Sequence, residues 1–215
     1  MLDNRGFDMW AGGYDKDVDI ADDNNEYPFA GYKQLMNAIY GTIMEKCPAK
    51  VLDIGLGTGT LAAKLYAGGN DITGIDFSNE MLTIAQKKMP DAKLVAFDFT
   101  KGLPPEIAEA KFDFIVSTYA LHHLTDDEKV KFIQVLLGCI NKSGRILIGD
   151  VSFANRDDLE RCKESCGDDG WDDDEFYFVF SELSSALSDA CQLSYHQMSH
   201  CAGIMEIGLD CGDTA

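Results

Sequence analysis

The chain is short of positive charge. Its 215 residues carry 18 lysines and arginines against 37 aspartates and glutamates, a formal net charge of −19. A surface this acidic repels phosphate backbones, which argues against a nucleic-acid partner and favours neutral or cationic small molecules. Long apolar runs are missing too. None approaches the length of a membrane span, and Met1-Leu2-Asp3-Asn4-Arg5 lacks the core of a signal peptide. A cytoplasmic protein without membrane attachment is expected. The seven cysteines are odd in number and scattered, so they suit reduced, buried thiols better than a disulfide framework. No internal repeat or linker-like stretch divides the chain, and its length suits one α/β domain with a small appendage.

The strongest local signal is Val51-Leu52-Asp53-Ile54-Gly55-Leu56-Gly57-Thr58-Gly59-Thr60, an apolar run with one acid leading into three glycines. It reads as buried strand, tight turn and helix start, where glycine admits unusual backbone angles and lets a ligand approach the main chain. The spacing departs from the G-x-G-x-x-G dinucleotide fingerprint, whose third glycine would fall at Thr60. No Gly-Lys-Ser/Thr ending follows, which removes a phosphate loop.

Around this stretch the chain alternates between strand and helix. Residues 1–27 are acidic and aromatic (Phe7, Trp10, Tyr14, Tyr27), and Pro28 opens a helix with apolar residues through Ile43, together a cap over the mouth of the main domain. A helix over 61–67 ends at Gly68-Gly69, and a second strand, 71–76, finishes on Asp76. Asp76 lies where a carboxylate at a second strand's end can accept ribose hydroxyls. Ser78 caps the next helix. Strands at 93–97 and 112–116 follow, then Thr125 and Glu128 as a capping box for a helix reaching Ile140, and a fifth strand at 145–149. Asp53, Asp76, Asp98, Ser117 and Asp150 all fall at strand carboxyl ends, the ligand edge of an open parallel sheet. Beyond 150 come a helix from Asn155 to Gly167, an acidic stretch 168–175, an aromatic run 176–180, a helix 181–190, and an antiparallel pair at 192–199 and 202–209.

Taken in order, VLDIGLGTGTLAAKL, GIDFSNEMLTIAQKK, Asp98-Phe99, FDFIVSTYALHHLTDDEK and LLGCINKSGRILIGD resemble the class I S-adenosylmethionine (SAM)-dependent methyltransferases over most of the chain. FDMWAGGYD near the start and SHCAGIMEI near the end are similar to small stand-alone bacterial members. The resemblance implies a Rossmann-like, seven-stranded, mostly parallel sheet with one reversed strand, helices on both faces and an N-terminal helical cap. It divides the single domain into a cap (1–48), a SAM-binding core (49–150), and a cap insertion with closing strands (151–215).

It implies SAM as cofactor, with S-adenosylhomocysteine (SAH) as product. The backbone around Gly55, Gly57 and Gly59 would hold the methionine part, and Asp53 would lie near its amino group. Asp76 would accept the ribose hydroxyls, Phe77 would lie against the adenine, Asp98 and Phe99 would meet its edge, and Ser117 would line the reactive side. Trp10, Tyr14, Tyr119 and Trp171 are the expected substrate or lid residues. A small-molecule methyl acceptor is expected. The alternatives are a SAM-binding regulatory or scaffold protein without turnover, and a nicotinamide oxidoreductase, which the glycine spacing disfavours.

His122 and His123, just past the fourth strand, are the candidates for a general base. No metal site is expected. His196 and His200 on one strand lie about 13 Å apart, and Cys162 with Cys166 has no second pair. Asp150, Asp157 and Asp158 could hold a divalent ion as in catechol-type enzymes, but solvated acids at a helix start explain them as well.

Overall fold

The computed structural model describes residues 25–167 and 170–209. Trp10, Tyr14 and the rest of the aromatic N-terminal segment before Asn25 lie outside the described residues.

Eight strands occur in chain order: β1 (Lys50–Ile54), β2 (Asp71–Asp76), β3 (Lys93–Ala96), β4 (Phe112–Thr118), β5 (Ile140–Phe153), β6 (Phe178–Val179), β7 (Gln192–Gln197) and β8 (Ala202–Gly208). Seven form one path in the order β3-β2-β1-β4-β5-β8-β7. The inner pairings are parallel, whereas β8 runs antiparallel to both β5 and β7. The seven-stranded expectation with one reversed strand therefore stands, with β6 added beside the far end of β5.

Side-chain alternation builds two cores, one on each face of the sheet. On one face Val51, Phe114 and Val116 pack with α1 (Tyr32–Met44), α2 (Thr60–Ala67), α3 (Asn79–Lys88) and Leu159 of α6 (Arg156–Cys166). On the other, Leu52, Ile54 and Ile115 pack with Ile107 of the short α4 (Pro105–Ala108), Phe132 and Ile133 of α5 (Asp126–Leu137), and Leu183 of α7 (Phe180–Leu187). Strands covered on both faces carry apolar runs, Val51-Leu52 in β1 and Phe114-Ile115-Val116 in β4.

Helix starts follow their sequence signals. Ser78 accepts from the Met81 amide, and the Thr125–Glu128 capping box closes in both directions. Two boundaries differ. The first helix begins at Tyr32 rather than Pro28, because Gly31 takes a left-handed conformation (φ 79°) against Ser199. Ile140 belongs to β5 and not to the preceding helix, which stops at Leu137 with Gly138 as its C-cap.

Strand order reverses between β1 and β4, which pair directly in register Asp53↔Val116 and Ile54↔Ser117. Their carboxyl ends splay their following loops to opposite faces and leave a crevice between them. Among the described residues, no helix is long and apolar enough to cross a membrane.

Candidate active site

A solvent-open cleft occupies that crevice. Its floor is the turn after β1. Gly55 has φ 70°, and a Cβ there would lie 2.4 Å from the Ala120 Cβ, so only glycine lets this turn nest against the loop after β4. Gly59, at φ 76°, begins α2 and abuts Ala85 and Met89 of the α3 region. The Gly57 amide donates to Asp76 Oδ2 at 2.8 Å, and Asp76 Oδ1 accepts from the Ser78 amide at 2.9 Å. The Asp76 carboxylate thus ties the glycine turn to the start of α3 while lining the cleft.

Asp53 lies beneath the turn and is 3% exposed. Its Oδ1 has no hydrogen-bond partner among the described residues. Burial first, and the nearby Asp76 second, push its carboxyl up to about 7. An orphaned carboxylate oxygen facing a cleft is suited to a cationic group, which would satisfy it and favour its ionised form.

The opposite wall comes from the loop after β4. Tyr119 adopts φ 50°, a conformation costly for a side-chain-bearing residue, and its ring meets Phe29 and Tyr32 at 5.2 and 5.4 Å between centroids. His122 and His123 follow in a 3-10 turn, and only His123 reaches the cleft. The His122 Nδ1 lies 2.6 Å from Asp150 Oδ1, and its Nε2 lies 3.4 Å from Glu175 Oε1. Burial opposes its charge, yet the two carboxylates outweigh it and hold the ring up to about 10. Burial and the His122 charge push His123 down. Burial would raise Glu175, but its histidine and Tyr177 contacts prevail and hold it at about 2.

The expected site residues divide accordingly. Asp53, Gly55, Gly57, Asp76, Phe77, Phe99, Tyr119 and His123 come together on the cleft, joined by Tyr32, Met36, Thr58 and Met81. Gly59 shapes the turn without lining the cleft. Asp98 caps a short turn through Thr100 and pairs with Lys101 at 2.9 Å. Partial burial works against its charge, but those partners hold it below the ordinary carboxylate value. The Ser117 hydroxyl is buried and donates to the Ile54 carbonyl at 2.9 Å, stitching β4 to β1. Trp171 lies behind the wall, stacked on Tyr27 at 5.1 Å and edge-on to Tyr177 at 4.9 Å.

Sequence reasoning missed Glu175, Tyr177 and Lys129. The Phe176 amide donates to the His122 carbonyl at 2.8 Å, and the buried Lys129 Nζ donates to the Phe176 carbonyl. These two bonds dock the acidic segment onto the post-β4 turn. Lysine on the inner face of α5 was the one available signal, since a buried lysine requires a partner.

The family model for a methyltransferase domain matches residues 51–144. An uncharacterized methyltransferase of Bacillus mycoides is 33% identical over 212 residues, covering 94% of this chain and 96% of its own length. A Bacillus cereus relative, also named an uncharacterized methyltransferase, is 32% identical over the same span. Among solved structures, a SAM-dependent methyltransferase from Clostridium acetobutylicum superposes with a TM-score of 0.70 at 17% identity, covering 91% of this chain and 98% of that one. The SAM-bound magnesium protoporphyrin IX methyltransferase from Synechocystis gives 0.65 at 18% identity, covering 96% and 97%.

Proposed function

Because the chain belongs to the class I SAM-dependent methyltransferase family, we propose that it transfers the methyl group of SAM to a small-molecule acceptor. The observation that carries this reading is the pairing of an orphaned, buried Asp53 oxygen with the Gly55–Gly59 turn and the Asp76 carboxylate in one cleft. These groups fit a ligand with a cationic amino-acid end and a ribose. Asp53 would receive the ammonium, Asp76 would accept ribose hydroxyls on lone pairs not used by the Gly57 and Ser78 amides, and Phe77 and Phe99 would bracket the base. Asp98, whose Oδ1 serves Thr100 and whose Oδ2 pairs with Lys101, would accept from the adenine on a remaining lone pair. Ser117 would act at one remove, by fixing β4 against β1.

When bound, the cofactor supplies a methyl group already activated on a sulfonium. What remains for this chain is to align the acceptor in line with that methyl and to keep water away. Tyr32, Met36 and Tyr119 give the cleft an apolar flank for that purpose. Of the two histidines expected at the acceptor end, only His123 lines the cleft. The acceptor is a small neutral or cationic compound, in keeping with the acidic surface, and the protein works in the cytoplasm.

Calorimetric titration with SAM, SAH and NAD in parallel tests the reading. Micromolar binding of the first two with none for NAD is expected, followed by turnover in an acceptor screen. NAD binding alone would overturn it.

A further inference from the structure

We infer that His122, His123 and Glu175 bind one divalent transition-metal ion of the zinc type at the edge of the cleft. One ligand atom from each lies within 4.8 Å of the others. The His122 Nε2 to Glu175 Oε1 distance of 3.4 Å is long for a charge-assisted hydrogen bond, about 2.7–2.9 Å. It is close to the edge of a tetrahedron built on bonds of about 2.0–2.2 Å, roughly 3.3–3.5 Å. His123 Nδ1 lies 4.0 Å from the same oxygen. The widest gap in the set, at most 4.8 Å, would close by up to about 1.5 Å for such a site.

The surroundings are those of a prepared ligand set. The His122 Nδ1 faces Asp150 Oδ1 at 2.6 Å, which fixes the ring and turns Nε2 toward Glu175. That carboxylate is fully buried and is itself anchored by the Val151 amide at 2.8 Å. On the other side the Tyr177 hydroxyl donates to Glu175 Oε2 at 2.8 Å, leaving Oε1 toward the histidines. Metal-binding histidines and carboxylates are oriented by such partners. The bonds from Phe176 to His122 and from Lys129 to Phe176 hold the two segments together whether or not an ion is present.

Two imidazoles and one carboxylate suit zinc, cobalt, nickel or ferrous iron and disfavour magnesium. Three protein ligands would leave a coordination position open, and of the three His123 lines the cleft. There the ion would orient an acceptor oxygen and ease loss of its proton. That consequence rests on the methyl-transfer reading; the ion site does not.

The test uses the full chain stripped of metal by chelation, titrated with Co²⁺ and then Zn²⁺, with SAH binding measured in parallel. One equivalent of Co²⁺ is expected, giving visible d–d absorption that Zn²⁺ abolishes. Asp150→Asn, which removes an orienting partner, weakens binding by about 10- to 100-fold. Glu175→Gln weakens it by about 100-fold or more and leaves SAH affinity at the wild-type value. Absent Co²⁺ bands, or equal Co²⁺ binding by wild type and Glu175→Gln, overturns the site, the latter being what condensation on an acidic surface would give. A protein with the Co²⁺ signal intact but no SAH binding would refute the methyl-transfer reading and leave the ion site standing.

Discussion

The two walls of the cleft are built in opposite ways. The cofactor wall comes from one nearly continuous stretch, residues 51–61, plus the end of β2 and its following turn, and it holds a buried carboxylate oxygen without a partner. The opposite wall, proposed for the acceptor, draws on residues 27–32, 119–123, 150 and 171–177, and its charges already oppose one another, with His122 set between Asp150 and Glu175. The first is built from residues close together in the chain. The second is assembled through contacts that span the chain, and it too holds a buried carboxylate oxygen, Asp150 Oδ2, without a hydrogen-bond partner among the described residues.

Asp76→Ala is the largest blow to the first wall. It removes the carboxylate that would hold the ribose and frees the Gly57 and Ser78 amides from their acceptor. Two hydrogen bonds to a charged group, at about 1.5–3 kcal/mol each, imply a loss of SAH affinity of about 100-fold or more. Because Asp76 also ties the turn, thermal unfolding should show a loss of about 1–3 kcal/mol as well. Wild-type SAH affinity in this variant would remove Asp76 from the site.

Asp53→Asn separates ligand binding from stability. The folded carboxyl titrates at about 7 against a reference of 3.8, so between those values the native state holds a proton that the unfolded chain has released. Its penalty is absent below pH 4, grows as pH rises and is complete above 7. A three-unit shift corresponds to at most about 4 kcal/mol. Denaturant melts should find Asp53→Asn more stable than wild type by about 1–3 kcal/mol at pH 8, with the gap closing by pH 4. SAM affinity should fall by about tenfold, and the rise in wild-type affinity from pH 6 to 8 should flatten. Equal melts at pH 8 would show that Asp53 is not a buried, strained acid.

The same contrast decides what could be read from the sequence. The β1 turn, the Ser78 cap and the Thr125–Glu128 box are local, so spacing alone placed them. Ile140 was misplaced because an apolar residue after a helix satisfies either period, and only Gly138 in the helix C-cap position and pairing with Phe112 decide for β5. Ser117 and Asp98 sit at strand ends as expected, yet their side chains serve the neighbouring backbone and Lys101, which no spacing reveals. His122 and His123 were visible as a pair, but Glu175 sat within an acidic run that reads as a solvated loop. Its meaning comes only when Lys129 and Phe176 dock that run onto the histidine turn.

Trp171→Ala is the mildest probe and the most specific to the second wall. The ring is half-buried, stacks on Tyr27 and meets Tyr177 edge-on, so it braces Tyr177 against Glu175 without lining the cofactor cleft. Aromatic pairs of this geometry contribute about 0.5–1.5 kcal/mol each beyond burial. Their loss should loosen the 171–177 segment while leaving the turn after β1 untouched. SAH affinity should therefore stay within about twofold of wild type, while KM for the acceptor rises by about three- to tenfold. If SAH affinity fell as far as the acceptor KM rose, the two walls would be one cooperative unit, and the division between a locally built wall and one assembled from across the chain would not hold.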